Sequence, residues 1–336
     1  MIRKLNRQFF INKKYKMLIN EPTKQNILDA HERIIKQIHR TPIFSSKSLN
    51  SILECRLYFK CENLQKVGAF KYRGACFAVL TIPKADIKKG VATHSSGNHA
   101  AALALAARTR KTQAYIVMPS TAPQIKKMAV ENYGAKIIFC EPTLQTREEA
   151  LAKVVAETGA TFVHPYDNYT VIAGQATCAK EVFEELGELD YLISPVGGGG
   201  LLSGTCLSGK YFSPKTKIIG AEPEGADDAF RSIRDGKIYP SINPQTICDG
   251  LLTQLSEKTF SIIKNNVTEI ITCGEETIIA AMRMIWERMK IVVEPSAAVT
   301  LAVVLENKKK FSGKRIGLIL SGGNVDLEKL PWLSKD

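Results

Sequence analysis

Four consecutive glycines, Gly197 to Gly200, form the part of this chain best suited to holding an anion. They follow the apolar run 191–195 and precede an apolar segment that begins at Leu201, a pattern that predicts a strand, a tight turn and a helix. Backbone N–H groups at a helix N-terminus bind phosphate, and glycine lets the backbone approach a ligand closely. The sequence therefore indicates a phosphate site at this turn.

Three other places carry residues that could do chemistry beside a phosphate. Lys71 stands in the segment 69–75, which reads Ala-Phe-Lys-Tyr-Arg-Gly-Ala, and two more turns after predicted strands lie at 93–99 and 320–325. Each has a plain interpretation when taken alone. Most lysines are solvated surface charges, and Ser95 or Ser96 could simply cap the helix that follows.

Alternating strand and helix patterns must position these turns. The spacing predicts a helix over 26–39, a strand over 57–60 and a helix over 75–80. Strand and helix patterns then alternate from residue 90 to residue 222, and a late strand covers 316–320. This order is typical of an α/β fold with mostly parallel sheets flanked by helices. Ligands of such sheets bind beyond the carboxyl ends of the strands.

Composition limits the class of protein. The chain has 336 residues, of which 45% are apolar and 24% charged, as in globular proteins that are soluble. It contains no uninterrupted apolar run long enough for a membrane span. The eight cysteines form no Cys-x-x-Cys pair, which predicts reduced thiols in a cytoplasmic protein rather than zinc ligands or disulfides.

The net charge of +13 is unevenly distributed. Residues 1–16 hold six basic side chains and no acidic one, so the remaining residues carry +7 without a basic stripe. A nucleic-acid partner is therefore not expected. The segment 1–16 is predicted to be a basic, disordered tail outside the fold, and Met17 is an alternative start.

Taken together, the lysine segment and the three turns resemble the fold-type II pyridoxal-phosphate (PLP) enzymes, the tryptophan synthase β family. Within it they are most similar to the serine racemase and serine/threonine dehydratase branch, over residues 25–328. The resemblance implies two lobes with the cofactor in the cleft between them. The large lobe would comprise residues 17–83 and 168–332, the small lobe 84–167, and the enzyme would be a homodimer.

The resemblance also implies residue roles toward PLP. Lys71 would form the Schiff base, Asn98 would bond the phenolic oxygen, and Ser321 would face the pyridine nitrogen. A neutral serine there leaves the nitrogen unprotonated, which favours β-elimination. The positions that match the family's cofactor contacts are Phe70, Lys71, Asn98, Gly197, Gly198, Gly199, Gly200, Leu201, Glu294 and Ser321.

Substrate roles follow from the same resemblance. Ser96 would donate or accept a proton on the face of the substrate opposite Lys71, which racemisation requires. The α-carboxylate would lie on the turn formed by Ser95, Ser96, Gly97, Asn98 and His99, with help from Thr253. Arg147 would bind a second carboxylate, as in a hydroxyaspartate. A helix-capping Ser96 and a merely exposed Arg147 are the alternatives.

A divalent cation is implied as well. Glu222 and Asp228 would supply carboxylate oxygens and Ala226 its carbonyl, a donor set that suits Mg²⁺ or Ca²⁺. Departures at Ser46, Lys47, Ser48, Val67 and Tyr166 from the pattern of nucleotide-binding racemases weigh against ATP binding between subunits.

The expected function is a PLP-dependent dehydratase and racemase of L-serine, with L-threonine or threo-3-hydroxyaspartate as related substrates. A threonine dehydratase without racemase activity and a β-replacing, cysteine-synthase-like enzyme are the enzymatic alternatives. A phosphate- or nucleotide-binding module is the alternative that is not an enzyme.

Overall fold

The computed structural model describes residues 17–122 and 124–333. The predicted basic tail, 1–16, lies outside the described residues. Within the described ranges, no helix combines the length and apolarity needed to cross a membrane.

Ten strands form two sheets in the described part of the chain. The strands are β1 (Ile43–Phe44), β2 (Arg56–Cys61), β3 (Val91–His94), β4 (Ala114–Pro119), β5 (Lys136–Cys140), β6 (Thr161–Phe162), β7 (Tyr191–Pro195), β8 (Lys217–Pro223), β9 (Glu269–Cys273) and β10 (Arg315–Leu320). The larger sheet has the order β1-β2-β10-β7-β8-β9, and the smaller has the order β5-β4-β3-β6. Every pair is parallel except β1 with β2.

Helices flank both sheets. They are α1 (Lys24–Ile34), α2 (Lys47–Leu53), α3 (Lys71–Thr81), α4 (Lys84–Ile87), α5 (Asn98–Thr109), α6 (Gln124–Asn132), α7 (Leu144–Thr158), α8 (Tyr169–Leu186), α9 (Gly200–Phe212), α10 (Asp228–Asp235), α11 (Glu257–Asn266), α12 (Glu275–Met289), α13 (Pro295–Glu306) and α14 (Lys308–Phe311). The predicted α/β class, with two mostly parallel sheets between helices, is confirmed.

All strands of the smaller sheet lie within 91–162, inside the predicted small lobe, and the larger sheet uses strands from the two flanking ranges. The domain boundaries themselves stay a prediction. The carboxyl ends of β3, β7 and β10 lead directly into the three turns that the sequence singled out.

Helix α3 differs from its prediction because it begins at Lys71, before Gly74 rather than after it. Gly74 is tolerated inside the helix because α3 crosses α8 there at very short range. A Cβ atom on Gly174 of α8 would lie 2.6 Å from the Gly74 Cα atom. The early start places Lys71 in the first turn of a helix whose buried side packs with residues of α5 and β4 in one apolar cluster.

Strand β9 and helices α11, α12 and α13 were not among the predicted elements. Helix α13 is buried along most of its length, so its sequence lacks the alternation of apolar and polar residues that reveals a surface helix. Its position matters for the site, since Glu294 caps its N-terminus.

Candidate functional site

Lys71 occupies the first position of α3 and points its amine into a partly buried space. The Nζ atom donates a hydrogen bond to the Pro165 carbonyl oxygen at 3.1 Å and lies 5.2 Å from the centre of the Phe70 ring. Burial lowers the pKa of the amine to about 8, and the nearby Glu294 carboxylate partly opposes that shift. A lysine of this kind is nucleophilic close to neutral pH.

The glycine turn presents unpaired donors. No backbone N–H from Gly197 to Leu201 donates to another residue of the described chain, and Gly200 opens helix α9. Gly199 has a φ of +83°, a conformation that other residues rarely adopt. A Cβ atom on Gly198 would lie 2.4 Å from the ring of Tyr166. The turn is therefore a cradle of N–H groups that only glycine can form, which fits a phosphate.

Asn98 and Glu294 meet across the space between the two sheets. The Asn98 Nδ2 atom lies 3.1 Å from each Glu294 carboxylate oxygen, and the Asn324 backbone N–H donates to the same carboxylate at 3.2 Å. Burial raises the pKa of Glu294 to about 7, and the charge on Asp249 raises it further. Glu294 therefore changes protonation state near neutral pH.

Ser321 lies beside the start of α3, at the end of β10. Its carbonyl oxygen accepts a hydrogen bond from the Phe70 N–H at 3.0 Å, and Ala69 pairs with Gly322. The side chain is 3% exposed, and its hydroxyl has no hydrogen-bond partner among the described residues. The structure thus brings the third turn next to Lys71 with a neutral hydroxyl available to a ligand.

The turn before α5 does not use its serines as caps. Gly97 is the N-cap residue and no side chain caps the helix, so the helix-capping interpretation of Ser95 and Ser96 is wrong. The Ser95 hydroxyl instead accepts the Gly97 N–H at 3.3 Å, within the turn. No described residue hydrogen-bonds the Ser96 hydroxyl. Ser96 is therefore available to a ligand.

Two imidazoles near Lys71 are held neutral. His99 donates from Nε2 to the Val163 carbonyl oxygen, which leaves its buried Nδ1 atom without a partner. His164 accepts the Asp167 N–H at Nδ1, at 2.8 Å. Burial lowers the pKa of His99 to about 3 and that of His164 to about 4. Neither histidine adds a positive charge beside the Lys71 amine at neutral pH.

Arg147 and Thr253 are not brought into contact with Lys71. Arg147 lies in the first turn of α7, where its Nε atom donates to the Thr143 carbonyl oxygen at 3.2 Å. Its guanidinium is close enough to His94 to lower the pKa of that imidazole, although burial has the larger effect. Thr253 is exposed and interacts with the Tyr166 hydroxyl.

The predicted cation loop contains two buried carboxylates, Glu222 and Asp228, of which only Asp228 lacks hydrogen-bond partners. Glu222 accepts the N–H groups of Ala229 and Phe230 at 2.9 and 2.7 Å, and burial raises its pKa well above the usual range. Asp228 is 1% exposed, and neither of its carboxylate oxygens accepts a hydrogen bond. Burial raises the pKa of Asp228 to about 6.

These oxygens and the neighbouring Ala226 carbonyl fit a hard divalent cation, which would relieve the cost of burying two carboxylates. Within the described ranges, no group of three or more histidine, cysteine or acidic side chains has metal-binding geometry. A cation here would therefore depend on the backbone carbonyl and on water for its remaining ligands.

Two contributors to the site were not identified as such from the sequence. The Tyr166 ring packs on Gly198 and its Cβ atom on Gly200. Asn324 bonds both Asn98, at 2.9 Å, and the Val67 carbonyl oxygen, at 2.7 Å. Asn324 lies in the Ser-Gly-Gly-Asn turn, so the sequence did contain a signal for its role. The sequence contains no signal for Tyr166, because its role depends on a loop about thirty residues away that packs against it.

The residues present fit PLP. The described residues supply a nucleophilic lysine, an N–H cradle, an amide next to a buried carboxylate and the neutral hydroxyl of Ser321. These groups match the aldehyde, phosphate, phenolic oxygen and ring nitrogen of PLP in chemical kind.

Comparisons with known proteins agree with this fit. Residues 34–322 match the family described as pyridoxal-phosphate dependent enzyme. The beta-hydroxyaspartate dehydratase of Paracoccus denitrificans (strain Pd 1222) is 53% identical over 311 residues, which cover 93% of this chain and 99% of that protein. The serine racemase of Dictyostelium discoideum is 47% identical over 312 residues, which cover 92% and 96% of the two chains.

A solved structure has the same fold. The crystal structure of serine racemase from Dictyostelium discoideum superposes with a TM-score of 0.87 at 47% identity, covering 91% of this chain and 99% of the other.

Proposed function

The chain belongs to the family of pyridoxal-phosphate dependent enzymes, as its motifs indicated, and we propose that it is a dehydratase and racemase of L-serine. L-threonine and threo-3-hydroxyaspartate are the related substrates. Elimination releases the β-hydroxyl group as water, and hydrolysis of the resulting imino acid consumes one water and gives a 2-oxo acid and ammonia. Relatives named for dehydration and for racemisation each cover more than nine-tenths of this chain, which supports both activities.

One observation carries the proposal. The desolvated Lys71 amine lies near the Glu294 carboxylate that Asn98 bonds, and it donates to Pro165, whose neighbour Tyr166 packs on the glycine turn with its unpaired N–H groups. Ser321 bonds the backbone of Phe70, directly before Lys71. A binding module for phosphate would need the cradle alone. A lysine with a lowered pKa is what a reaction at an amino-acid α-carbon needs in addition.

PLP, when bound, withdraws electrons from the bonds of the substrate α-carbon, so that the α-proton can leave. Lys71 would then act with its own amine, free of the cofactor, as the base that takes this proton. Burial favours the neutral form of the amine that this role requires. His99 and His164, both neutral, leave that balance undisturbed.

Ser96 would exchange a proton on the opposite face of the substrate. Its hydroxyl is not engaged by any described protein group, so it can donate to a ligand without first breaking a hydrogen bond. The N–H groups of Ser96, Asn98 and His99, which donate to no described residue, would hold the α-carboxylate at the N-terminus of α5. Elimination needs only Lys71, whereas racemisation needs both residues.

Arg147 would serve a second carboxylate only after a movement, since its guanidinium now bonds the Thr143 carbonyl at the start of its own helix. Its position near His94, next to the substrate turn, supports a role toward threo-3-hydroxyaspartate rather than toward serine. The relative named beta-hydroxyaspartate dehydratase supports a hydroxyaspartate as substrate.

We further propose that Glu222, the Ala226 carbonyl and Asp228 bind Mg²⁺ or Ca²⁺, that the enzyme is a homodimer, and that residues 84–167 move as a small lobe against the rest. The cation proposal is supported by the two unpaired Asp228 oxygens. The small-lobe proposal is supported by the separation of the two sheets along the chain.

The decisive experiment treats the purified full-length chain with borohydride and maps the modified peptide by mass spectrometry. A PLP adduct on Lys71 is expected, with pyruvate, ammonia and D-serine formed from L-serine before reduction. A panel of L-serine, D-serine, L-threonine and hydroxyaspartate isomers then ranks the substrates. Absence of the Lys71 adduct after reconstitution with PLP would leave the phosphate-binding module as the better interpretation.

A further inference from the structure

A buried cluster of charges lies just beneath Lys71 and is not explained by binding of PLP or substrate. Its centre is Arg73, two residues after Lys71 in the first turn of α3 and fully buried. Two carboxylates, Glu62 and Glu181, are also fully buried against it. Four elements meet here: α3, the end of β2, α8 and α1 with the loop after it. Glu62 follows β2 and contacts the loop after α1, and Glu181 lies in α8 and contacts α1.

The Arg73 guanidinium uses all of its donors. Nε and Nη2 donate to the two oxygens of Glu62 at 2.7 and 2.8 Å, and Nη1 and Nη2 donate to the two oxygens of Glu181, both at 2.8 Å. The second hydrogen of Nη1 goes to the Thr177 hydroxyl at 3.2 Å. Five N–H groups therefore meet five acceptors in two forked ion pairs, a geometry that lysine cannot reproduce.

The surrounding groups complete the cluster. Lys60 donates to Glu181 at 2.7 Å and to the Thr41 carbonyl oxygen at 2.8 Å. The Thr41 hydroxyl donates to Glu62, and His31 contacts the second Glu181 oxygen at 3.3 Å. Two carboxylates thus balance one guanidinium and one ammonium group. The cluster therefore has no net charge, and the donors of the guanidinium are all hydrogen-bonded within it.

Such a cluster is a poor means of stabilising a fold. Desolvation of buried ions consumes most of the attraction between them, and apolar replacements are often as stable. What a forked ion pair fixes is position, because its directional bonds tolerate little displacement. Here they fix the first turn of α3, which has no side-chain cap at its N-terminus.

The neighbouring contacts restrict the same turn. The Gly74 N–H donates to the Gln175 side chain at 3.1 Å, and the glycines of α3 and α8 touch at this level. Among the described residues, one hydrogen bond, to the Pro165 carbonyl, holds the Lys71 amine. The position of its backbone therefore decides how deeply the amine is buried.

We propose that Arg73, clamped between Glu62 and Glu181, is a positioning residue that holds the first turn of α3 so that the Lys71 amine stays in its desolvated place beside the cofactor site. The clamp touches neither the cofactor nor the substrate. The inference rests on the proposed role of Lys71, but its test does not require turnover.

The test compares three variants of the full-length chain. Arg73→Lys keeps the charge and loses the double fork, and Thr177→Val removes one of the five bonds. Arg110→Lys is the matched control, since Arg110 bonds the Leu80 and Ile82 carbonyls at the far end of α3. Each chain, freed of cofactor, is acetylated with acetic anhydride over a range of pH, and the extent of labelling at Lys71 is measured by mass spectrometry.

The parent chain and Arg110→Lys should show a Lys71 midpoint near pH 8, whereas Arg73→Lys should show one at least about half a unit higher, as water reaches the amine. Glu294, His99 and His164 face the amine equally in all variants, so they do not account for a difference. Thr177→Val should shift the midpoint in the same direction by less.

An unchanged midpoint in a folded Arg73→Lys chain would overturn the inference. If circular dichroism shows that the Arg73→Lys chain does not fold, an unchanged Lys71 midpoint in Thr177→Val would overturn the inference instead. A Lys71 midpoint near pH 8 in the parent chain, together with no borohydride adduct, would instead contradict the proposed function. The positioning role of Arg73 could still be measured in that case.

Discussion

At the scale of single residues, the environment of the Lys71 amine sets its chemistry. A surface lysine is protonated at neutral pH, and burial in this site moves the pKa down to about 8. Glu294 works against that shift, and its own pKa, raised to about 7 by burial, means that its charge varies over the same range of pH.

This predicts the pH dependence of elimination. The rate at saturating L-serine should rise with pH through about 8, because the neutral Lys71 amine is the form that takes the α-proton. In Glu294→Gln the midpoint should fall, since the carboxylate that favours the charged amine is gone. The measurement is kcat against pH for both chains, and a midpoint that rises in Glu294→Gln would contradict the assignment.

Ser96 provides the second residue-scale prediction. Ser96→Ala should reduce formation of D-serine by at least about tenfold more than formation of pyruvate, because only racemisation needs a proton from that face. Chiral chromatography and a keto-acid assay on the same reaction give the ratio. Equal loss of both products would remove Ser96 from its proposed role.

At the scale of elements, a ligand site forms where strands end. The glycine turn joins β7 to α9 and carries the unpaired N–H groups, and Tyr166 and Leu255 pack where side chains of other residues would stand. Glycine is needed from Gly197 to Gly200 because a side chain would clash with these neighbours, as well as because the backbone must adopt an unusual conformation.

Substitution at this turn should weaken PLP binding. In Gly198→Ala the new methyl group would meet the Tyr166 ring at 2.4 Å, so the turn must open and the N–H groups separate. We expect the PLP dissociation constant to rise at least about tenfold, or ~1.4 kcal/mol. Gly209→Ala, at the other end of α9, meets only an isoleucine side chain and is the control. Fluorescence titration with PLP distinguishes them, and equal affinities would argue against the cradle.

The loop after β8 leads to a prediction about stability. Burial raises the pKa of Asp228 to about 6, so the folded chain binds this proton more tightly than the unfolded chain. Without a divalent cation, the contribution of Asp228 to stability is therefore present at low pH and lost as the pH rises through about 6. Mg²⁺ or Ca²⁺ should raise the melting temperature more at pH 7.5 than at pH 5.

Scanning calorimetry with the cation and with a chelator at both pH values provides the measurement. Asp228→Asn should abolish the response to the cation while keeping the chain stable above pH 6. A cation response that persists in Asp228→Asn would place the ion elsewhere.

At the scale of the whole molecule, the two sheets are joined by polar contacts around the site. Lys126 of α6 pairs with Asp249 at 2.5 Å, and Asn98 bonds Glu294. The first pair is partly exposed, and such pairs contribute about 0.2–1 kcal/mol. If the small lobe closes on substrate, this pair favours the closed form modestly.

Lys126→Met should therefore raise KM for L-serine by about 1.4- to fivefold, with little change in kcat. Lys153→Met is a suitable control because its partner, Glu157, lies in the same helix. Steady-state kinetics on the two variants test this, and an unchanged KM in Lys126→Met would separate the pair from lobe closure.

The sequence by itself determined where the turns lie and what kind of enzyme this is. Strand β7 has the predicted bounds, because a short apolar run between charged residues and glycine is a local signal. The phosphate turn and the lysine segment were also recognisable from local sequence. The helix α13 and the start of α3 in a glycine-containing segment could not be predicted in this way, because burial on all sides removes the periodicity of a sequence.

Only the tertiary structure decided the electrostatics. In the sequence, Arg73 is an ordinary residue of a motif. Its double ion pair depends on Glu181, which is 108 residues away in the chain. The pKa of Lys71, the unpaired oxygens of Asp228 and the failure of Ser95 and Ser96 to cap α5 all follow from which groups lose water and which find partners. Desolvation depends on everything that packs around a group, and no local pattern of residues records it.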